Sequence, residues 1–338
     1  MFKYYNKIDN YFIDKEQLKR YKNHQLLPNE VVILSNDNHE SNLSINVDDF
    51  KATTIIFKDS KFKYLKLSNF NTMPSPTVKL DNCDVERGYM ILNPNSEVFL
   101  NNCSADLLEI SAKNININKL KSLNKYISPS NFKIGGEHTD KVSITDSKGL
   151  YDERLKFNIQ SKKTYINNSR IRIKTNCNIL LLNNSNITND NSIVENYTII
   201  NNSNILYHPC NKILKCPTIF IYGKNGIVNS DIETNILSIN KDSNLNISDA
   251  KININDELIM GTSSSLNCKN NSKLYTNEIC FNPNSKLVSN EINFQNTDDV
   301  SIKIDPLELK NSRENIVKTL SLVREKYNKS LKDFKTRR

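Results

Sequence analysis

Short apolar alternations separated by small polar residues recur along most of this chain. The clearest copies lie between residues 164 and 206, where one phrase (apolar, polar, Asn, Ser, any residue, apolar) appears three times, as Ile166-Asn-Asn-Ser-Arg-Ile171, Leu182-Asn-Asn-Ser-Asn-Ile187 and Ile200-Asn-Asn-Ser-Asn-Ile205. Alternation of this kind is typical of β-strands that bury one face. The small polar residues between two such strands predict a tight corner.

The phrase recurs at intervals of 16 to 27 residues, which is the signature of a repeat architecture. Asn readily adopts a left-handed backbone, and because the chain has only 7 glycines we expect Asn and Asp to occupy the corners. The predicted corner positions are Asn36, Asp59, Asn82, Asn102, Asn124, Asp146, Asn168, Asn184, Asn202, Asn229, Asp249, Asn271 and Asn290.

This period predicts an all-β solenoid, a parallel β-helix of about a dozen coils over residues 31–305. The fixed leucine frame of leucine-rich repeats is absent, and the variable intervals argue against a strict six-residue frame. From Val31 to Ile304 the chain resembles the pectate-lyase-like right-handed β-helix proteins in its repeat pattern, and not in any catalytic motif. The resemblance implies a right-handed coil.

The two ends lack the phrase. Residues 1–30 predict a capping segment with a short helix from Asp14 to about Lys22, or alternatively an aromatic recognition arm. Residues 306–338 predict a basic amphipathic helix, roughly Ser312 to Lys335, that covers the last coil. Its spacing also suits a short coiled coil, so residues 312–335 could join copies of the chain into a homo-oligomer.

Charge is concentrated at the ends of the chain. Of the net charge of +9, residues 306–338 hold ten Lys and Arg against four Asp and Glu, and residues 1–30 hold six against four. The body therefore has thirty basic against twenty-nine acidic residues. A nucleic-acid-binding protein should carry a basic stripe along its working face, so nucleic acid is an unlikely partner.

The sequence predicts a protein that folds in a reducing cytoplasm. It begins without the apolar run of a signal peptide and contains no transmembrane segment. Its seven cysteines are irregularly spaced, and Cys83 and Cys103 take the Ser slot of the phrase, which favours reduced thiols. Assembly into a virion or export without a signal peptide would both fit these features.

Candidate chemistry is sparse. The least regular region contains Glu137, His138, Asp140, Asp152, Glu153 and Arg154, which are the residue types used by polysaccharide-cleaving β-helices. Solvated loop charges would look the same. His208, Cys210 and Cys216 lack the paired spacing of a zinc site, so we predict no metal and no cofactor. The chain has no Trp, which weakens a carbohydrate-enzyme function.

Two functions remain open. The regular pattern without a clustered active site favours a non-catalytic scaffold or binding protein of the kind found in virion or phage appendages, adhesins and effectors, with a protein or glycan partner. The alternative is a polysaccharide lyase or glycoside hydrolase with its site near the irregular loop.

Overall fold

The alternating strands stack into a parallel β-solenoid of about ten turns. The computed structural model describes residues 30–34, 41–47, 54–69, 75–123, 130–148, 155–206, 213–289, 292–294 and 301–304. These residues fall into two compact units: unit 1 is Met1–Leu180 with Ser185–Thr188, and unit 2 is Leu181–Asn184 with Asn189–Arg338. Every strand pairing recorded in either unit is parallel, as coils of a solenoid require.

Unit 1 contains fifteen strands, of which the last two also extend into unit 2. They are β1 (Glu30–Leu34), β2 (Ser41–Asn46), β3 (Thr54–Lys58), β4 (Lys61–Ser68), β5 (Thr77–Asp81), β6 (Asp84–Ile91), β7 (Glu97–Asn101), β8 (Ser104–Ser111), β9 (Asn114–Asn118), β10 (Lys121–Ser122), β11 (Ser130–Gly135), β12 (Lys141–Thr145), β13 (Leu155–Asn167), β14 (Arg170–Asn183) and β15 (Asn186–Asn189).

Unit 2 contains the remaining strands. They are β16 (Ile193–Asn201), β17 (Asn204–Leu206), β18 (Leu214–Lys215), β19 (Thr218–Tyr222), β20 (Gly226–Val228), β21 (Ile232–Ile239), β22 (Asn244–Ser248), β23 (Lys251–Met260), β24 (Ser265–Lys269), β25 (Lys273–Thr276), β26 (Glu278–Phe281), β27 (Lys286–Ser289), β28 (Ile292–Phe294) and β29 (Ser301–Ile304).

A coil of unit 1 consists of a short strand, a corner and a longer strand. The short strands β3, β5, β7, β9 and β12 pair in register, so that one inward column reads Ile55, Val78, Val98, Ile115 and Val142. All five side chains are buried. Each coil thus buries its alternate residues against the coils beside it, and stability is shared between neighbours.

The corners use a left-handed residue, as the sequence predicts. Eight predicted positions have positive φ angles between 43° and 54°: Asp59, Asn82, Asn102, Asp146, Asn168, Asn184, Asn202 and Asp249. Their side chains also hydrogen-bond from coil to coil in unit 1. Asn102 Nδ2 donates to Asn82 Oδ1 at 2.8 Å, and Asn82 Nδ2 donates to Asp59 Oδ1 at 3.0 Å.

The Ser that recurs in the phrase follows the left-handed residue of the corner, and its hydroxyl is part of a column of hydrogen bonds inside the coils. Ser169 Oγ donates to its own coil at Asn167 O (2.8 Å) and accepts the backbone N–H of Ser147 (3.1 Å). The same N–H to hydroxyl bond joins Leu120 to Ser147 and Ser169 to Ser185. Buried amide groups at these corners are therefore satisfied from the next coil.

The predicted fold class is confirmed as an all-β parallel solenoid, and with it the fold-level resemblance to β-helix proteins. About ten turns replace the predicted dozen. The predicted corners Asn36, Asn124 and Asn290 lie outside the described residues, as do residues 1–29 and 306–338 with both predicted helices. The described residues contain no α-helix, and none of their segments is a helix able to cross a membrane. The right-handed sense of the coil stays a prediction.

Two corner assignments are wrong. Asn229 has no positive φ angle, and the left-handed residue of that coil is Gly223. The corner predicted at Asn271 lies one residue earlier, at Asn270. In both coils several small polar residues stand together, so the sequence pattern could not identify which of them turns the chain.

Candidate functional site

The first candidate residues lie in a turn between β11 and β12 of unit 1. Glu137 and His138 are exposed at its tip, and the turn is closed by the N–H of Thr139, which donates to Gly136 O at 3.0 Å. The buried hydroxyl of Thr139 donates to Ala112 O at 2.7 Å and fixes the turn to the preceding coil. The other candidates, Asp152, Glu153 and Arg154, lie outside the described residues.

Asp140, which follows this turn, is already paired. Lys162 Nζ donates to Asp140 Oδ1 at 2.7 Å; the Lys162 side chain is exposed and that of Asp140 is half-buried. This hydrogen bond, with the positive charges of Lys162, Lys113 and Lys163, holds the pKa of Asp140 below its ordinary value. The carboxyl group is therefore ionised at neutral pH, which suits an ion pair and not a general acid.

Four lysines lie next to Asp140 along the chain or on the neighbouring coils. Asp140 N and Lys141 N both donate to Lys113 O, and Lys163 N donates to Asp140 O. Lys141 and Lys163 are direct register partners on β12 and β13. We call Lys113, Lys141, Lys162 and Lys163 the lysine surface. Like charges at paired positions of neighbouring strands destabilise a sheet, so this arrangement carries a cost to folding.

An aromatic ring borders the lysine surface. The ammonium group of Lys141 lies 4.9 Å from the ring centroid of Tyr165, which is two residues beyond Lys163 on the same face of β13. The ring is partly exposed. A cation and an aromatic face therefore lie side by side on one outward surface of unit 1.

A second group of polar residues, which the sequence analysis did not identify, is buried in unit 1. Glu86 on β6 and Asp106 on β8 are only 6% and 8% exposed. The register pairs on either side of them match Val85 with Ala105 and Arg87 with Leu107, so the two carboxylates occupy equivalent positions of successive coils. The sequence does contain a sign of this pair: an acidic residue stands four positions after the left-handed Asn in both coils, in Asn82-Cys-Asp-Val-Glu86 and in Asn102-Cys-Ser-Ala-Asp106.

A third group lies on unit 2. One ligand atom from each of Glu257, Glu278 and Cys280 falls within 4.8 Å of the others. Glu257 and Glu278 are register partners on β23 and β26, and Cys280 Sγ is 2.7 Å from Glu257 Oε1. These residue types could hold a divalent cation, although acidic groups at a surface also meet without one. The two glutamates are separated in the sequence by the length of one coil, and this spacing could have indicated that they lie side by side.

Cys83, Cys103 and Cys216 are buried thiols with hydrogen-bond partners inside the coils. Cys83 and Cys103 are free and buried in the column that Ser occupies elsewhere, as predicted. The hydrogen bond between their side chains, together with burial, raises the pKa of Cys83. Cys216 Sγ accepts from Thr198 Oγ1 at 3.2 Å and donates to Thr218 O at 3.1 Å. His208 and Cys210, weighed with it as zinc ligands, lie outside the described residues.

No protein-family model, curated protein or solved structure matches this chain.

Proposed function

We propose that this protein is a non-catalytic β-solenoid binding protein and that the lysine surface of unit 1 binds an acidic glycan. The observation that supports the proposal is the grouping of four lysines from three successive coils around a single, already paired carboxylate. Adhesins, virion or phage appendages and effectors are the settings that the regular repeat favours.

Charge supports an anionic ligand. The ammonium group of Lys162 is engaged by Asp140, but Lys113, Lys141 and Lys163 have no ion pair recorded among the described residues. Glu137 adds one further negative charge at the edge of the turn. The local balance therefore remains positive, and an anion that approaches here is attracted over about a Debye length, which is ~8 Å at physiological salt.

Shape and spacing support a polymer. Parallel strands are about 4.8 Å apart, so the cations of neighbouring coils form a row instead of one deep pocket. A row suits a chain of charged sugars, whose carboxylate or sulfate groups also repeat along its length. Tyr165 adds a ring face that can pack on the apolar side of a sugar ring.

Binding to polygalacturonate and to a neutral polymer such as dextran tests the proposal on the full chain. We expect binding to polygalacturonate that weakens with added salt, and none to dextran. The double variant K141Q/K163Q should lose about fivefold to tenfold in affinity, as expected for two exposed charges. The matched control K66Q/K79Q removes the same net charge elsewhere on unit 1 and should bind like the unmodified protein.

Three results would contradict the proposal. Equal binding to dextran would show that charge is not recognised. An equal loss in K66Q/K79Q would assign the binding to net charge alone. Binding to single-stranded DNA that is as tight as binding to polygalacturonate would replace the glycan with a nucleic acid.

A polysaccharide lyase or hydrolase remains the second candidate, because one exposed turn presents Glu137 and His138 and is followed directly by Asp140, which pairs with Lys162. Elimination from an acidic glycan needs a side chain that can accept a proton, such as an unprotonated lysine, and hydrolysis needs paired carboxyl groups. Incubating the full chain with polygalacturonate decides between binding and cleavage. Release of unsaturated or reducing ends from polygalacturonate, lost in D140N, would establish an enzyme.

A further inference from the structure

We propose that Asp106, Glu86, Ser130 and Ser122 form a binding site inside unit 1 for a hard divalent cation of the calcium class. The site is separate from the lysine surface and does not depend on the proposed function. It is built on strands β6, β8, β10 and β11.

The main observation is a buried carboxylate oxygen without a partner. Asp106 is 8% exposed, and its Oδ2 atom is buried with no hydrogen-bond partner among the described residues. Its Oδ1 atom is 3.3 Å from the Ser130 hydroxyl. A buried ionised oxygen that is left unsatisfied is costly, and buried charges in proteins are normally paired or coordinate a metal.

A second buried carboxylate belongs to the preceding coil. Glu86 occupies the equivalent position in the preceding coil and is also buried. Two carboxylates stacked on adjacent strands repel each other, because like charges at facing positions of a sheet are unfavourable. A divalent cation would offset the charge of Asp106, whose Oδ2 atom is the unsatisfied one.

The other two donors come from the next coil. Ser122 pairs with Ala105 and Asn131 pairs with Leu107, so Ser122 and Ser130 both lie beside the position of Asp106 on β8. Their hydroxyl groups lie 2.6 Å apart. They bring two further oxygen atoms to the same side of Asp106.

The donor set identifies the class of ligand. All four side chains offer oxygen, which favours hard cations over zinc or copper. Oxygen atoms that share a calcium ion at 2.3–2.6 Å are themselves roughly 3 Å apart, which is close to the 3.3 Å between Asp106 Oδ1 and Ser130 Oγ. Calcium tolerates irregular geometry, whereas magnesium demands a near-ideal octahedron.

Calcium titration of the full chain tests the site, with terbium luminescence as a second readout. The chain has no Trp and 14 Tyr, so tyrosine would sensitise a bound terbium ion. We expect one calcium per chain that raises the thermal midpoint and displaces terbium. D106N preserves the shape of the side chain and should weaken calcium binding at least about tenfold, since it removes the central charge.

Two controls separate this site from others. D81N changes a carboxylate on the neighbouring strand β5 and should leave calcium binding unchanged. E257Q/E278Q removes the carboxylates of the cluster on unit 2 and should also leave it unchanged. S130A removes one neutral ligand and should weaken binding by less than D106N does, which keeps the proposal testable if D106N does not fold.

Three results would overturn the proposal. The first is a chain that binds neither calcium nor terbium. The second is calcium binding that is unaltered by D106N and S130A. The third is a D106N protein that melts higher than the unmodified chain while calcium leaves both midpoints unchanged, because the site would then hold only a proton or a water molecule.

Discussion

Five strands of unit 1 and three strands of unit 2 end in different devices. After β3, β5, β7, β12 and β13 the chain turns at a two-residue corner, a left-handed Asx and a buried Ser or Cys, as at Asn102-Cys103 and Asn168-Ser169. Three successive coils of unit 2 instead use four-residue turns at Asn240–Ser243, Gly261–Ser264 and Asn282–Ser285, each closed by a bond from the N–H of its fourth residue to the carbonyl of its first. The third residue of each turn is left-handed.

The difference lies in where the hydrogen bonds are made. A two-residue corner satisfies its polar groups through the coil beside it, for example through the hydroxyl of Ser169. A four-residue turn satisfies one of its amides internally, with distances of 3.0 to 3.2 Å. Corners therefore couple neighbouring coils partly through side chains, whereas these turns couple them through the backbone, as where Asp242 N donates to Thr262 O at 2.9 Å and Ser263 N donates to Pro283 O at 2.7 Å.

The four-residue turns of unit 2 stack closely on one another. Of the variants considered for stability, G261A should therefore destabilise the protein most. A Cβ atom at Gly261 would lie 2.7 Å from Ile239 O and 2.8 Å from both Asn240 C and Lys241 N. These are backbone atoms of the neighbouring turn, so they cannot rotate away. We expect a loss of about 2 to 3 kcal/mol in the free energy of unfolding, measured in urea.

G136A is the matched control, because a Cβ atom there would meet only the Ser111 hydroxyl at 3.5 Å. Its effect should stay within about 0.5 kcal/mol. Equal effects of G136A and G261A would show that the turns of unit 2 are not tightly stacked.

S169A tests whether the corners of unit 1 depend on the next coil. It would remove the acceptor of the buried Ser147 N–H, and an unsatisfied buried amide costs about 1 to 3 kcal/mol. S169C should cost much less, because Cys83 and Cys103 already occupy this column. Urea unfolding of both variants checks the prediction, and an S169A protein as stable as S169C would refute the hydroxyl column.

N202V tests the left-handed corner itself. Asn202 has a φ angle of 43°, and a β-branched residue there should cost about 1 to 2 kcal/mol. N202G should cost less, because Gly adopts this conformation freely and loses only the exposed bond from Lys224 N to Asn202 Oδ1. Thermal midpoints of both variants provide the measurement. A midpoint unchanged by N202V would contradict the assignment of this corner.

The sequence predicted the corners better than the turns, for a physical reason. At Asn168 the repeated phrase marks the second polar residue after Ile166 as the corner, and that residue is left-handed. In turns such as Asn282-Pro-Asn-Ser285 several polar residues could be left-handed, and the residue that is, Asn284, can be identified only from coordinates.

The candidate sites, like the turns, could be predicted only in part from the sequence. Glu137, His138 and Asp140 were predicted from residue type in an irregular loop, and the structure places the first two in one turn and Asp140 directly after it. The lysines around them come from three coils, so their proximity depends on the exact coil lengths. Asp106 was missed because an acidic residue on a strand reads as a solvent-facing position, whereas the bend of β8 turns it inward.

Of these variants, K162Q should have the smallest effect on stability. It tests whether Lys162, one residue of the lysine surface, contributes to the stability of the fold. The pKa of Asp140 is lowered in the folded state mainly by the hydrogen bond from Lys162, so the pair stabilises the protein above the unfolded pKa of the carboxyl group, and this stability is lost as pH falls through the folded pKa. Because the side chains of Lys162 and Asp140 are 63% and 39% exposed, solvent screening limits the effect to about 0.3 kcal/mol at neutral pH.

NMR titration of Asp140 should show its pKa rising toward the ordinary value in K162Q and staying low in the control K66Q. A pKa that does not move would assign the shift to the other lysines, and a loss of stability much larger than 0.3 kcal/mol would give Lys162 a structural role in the turn.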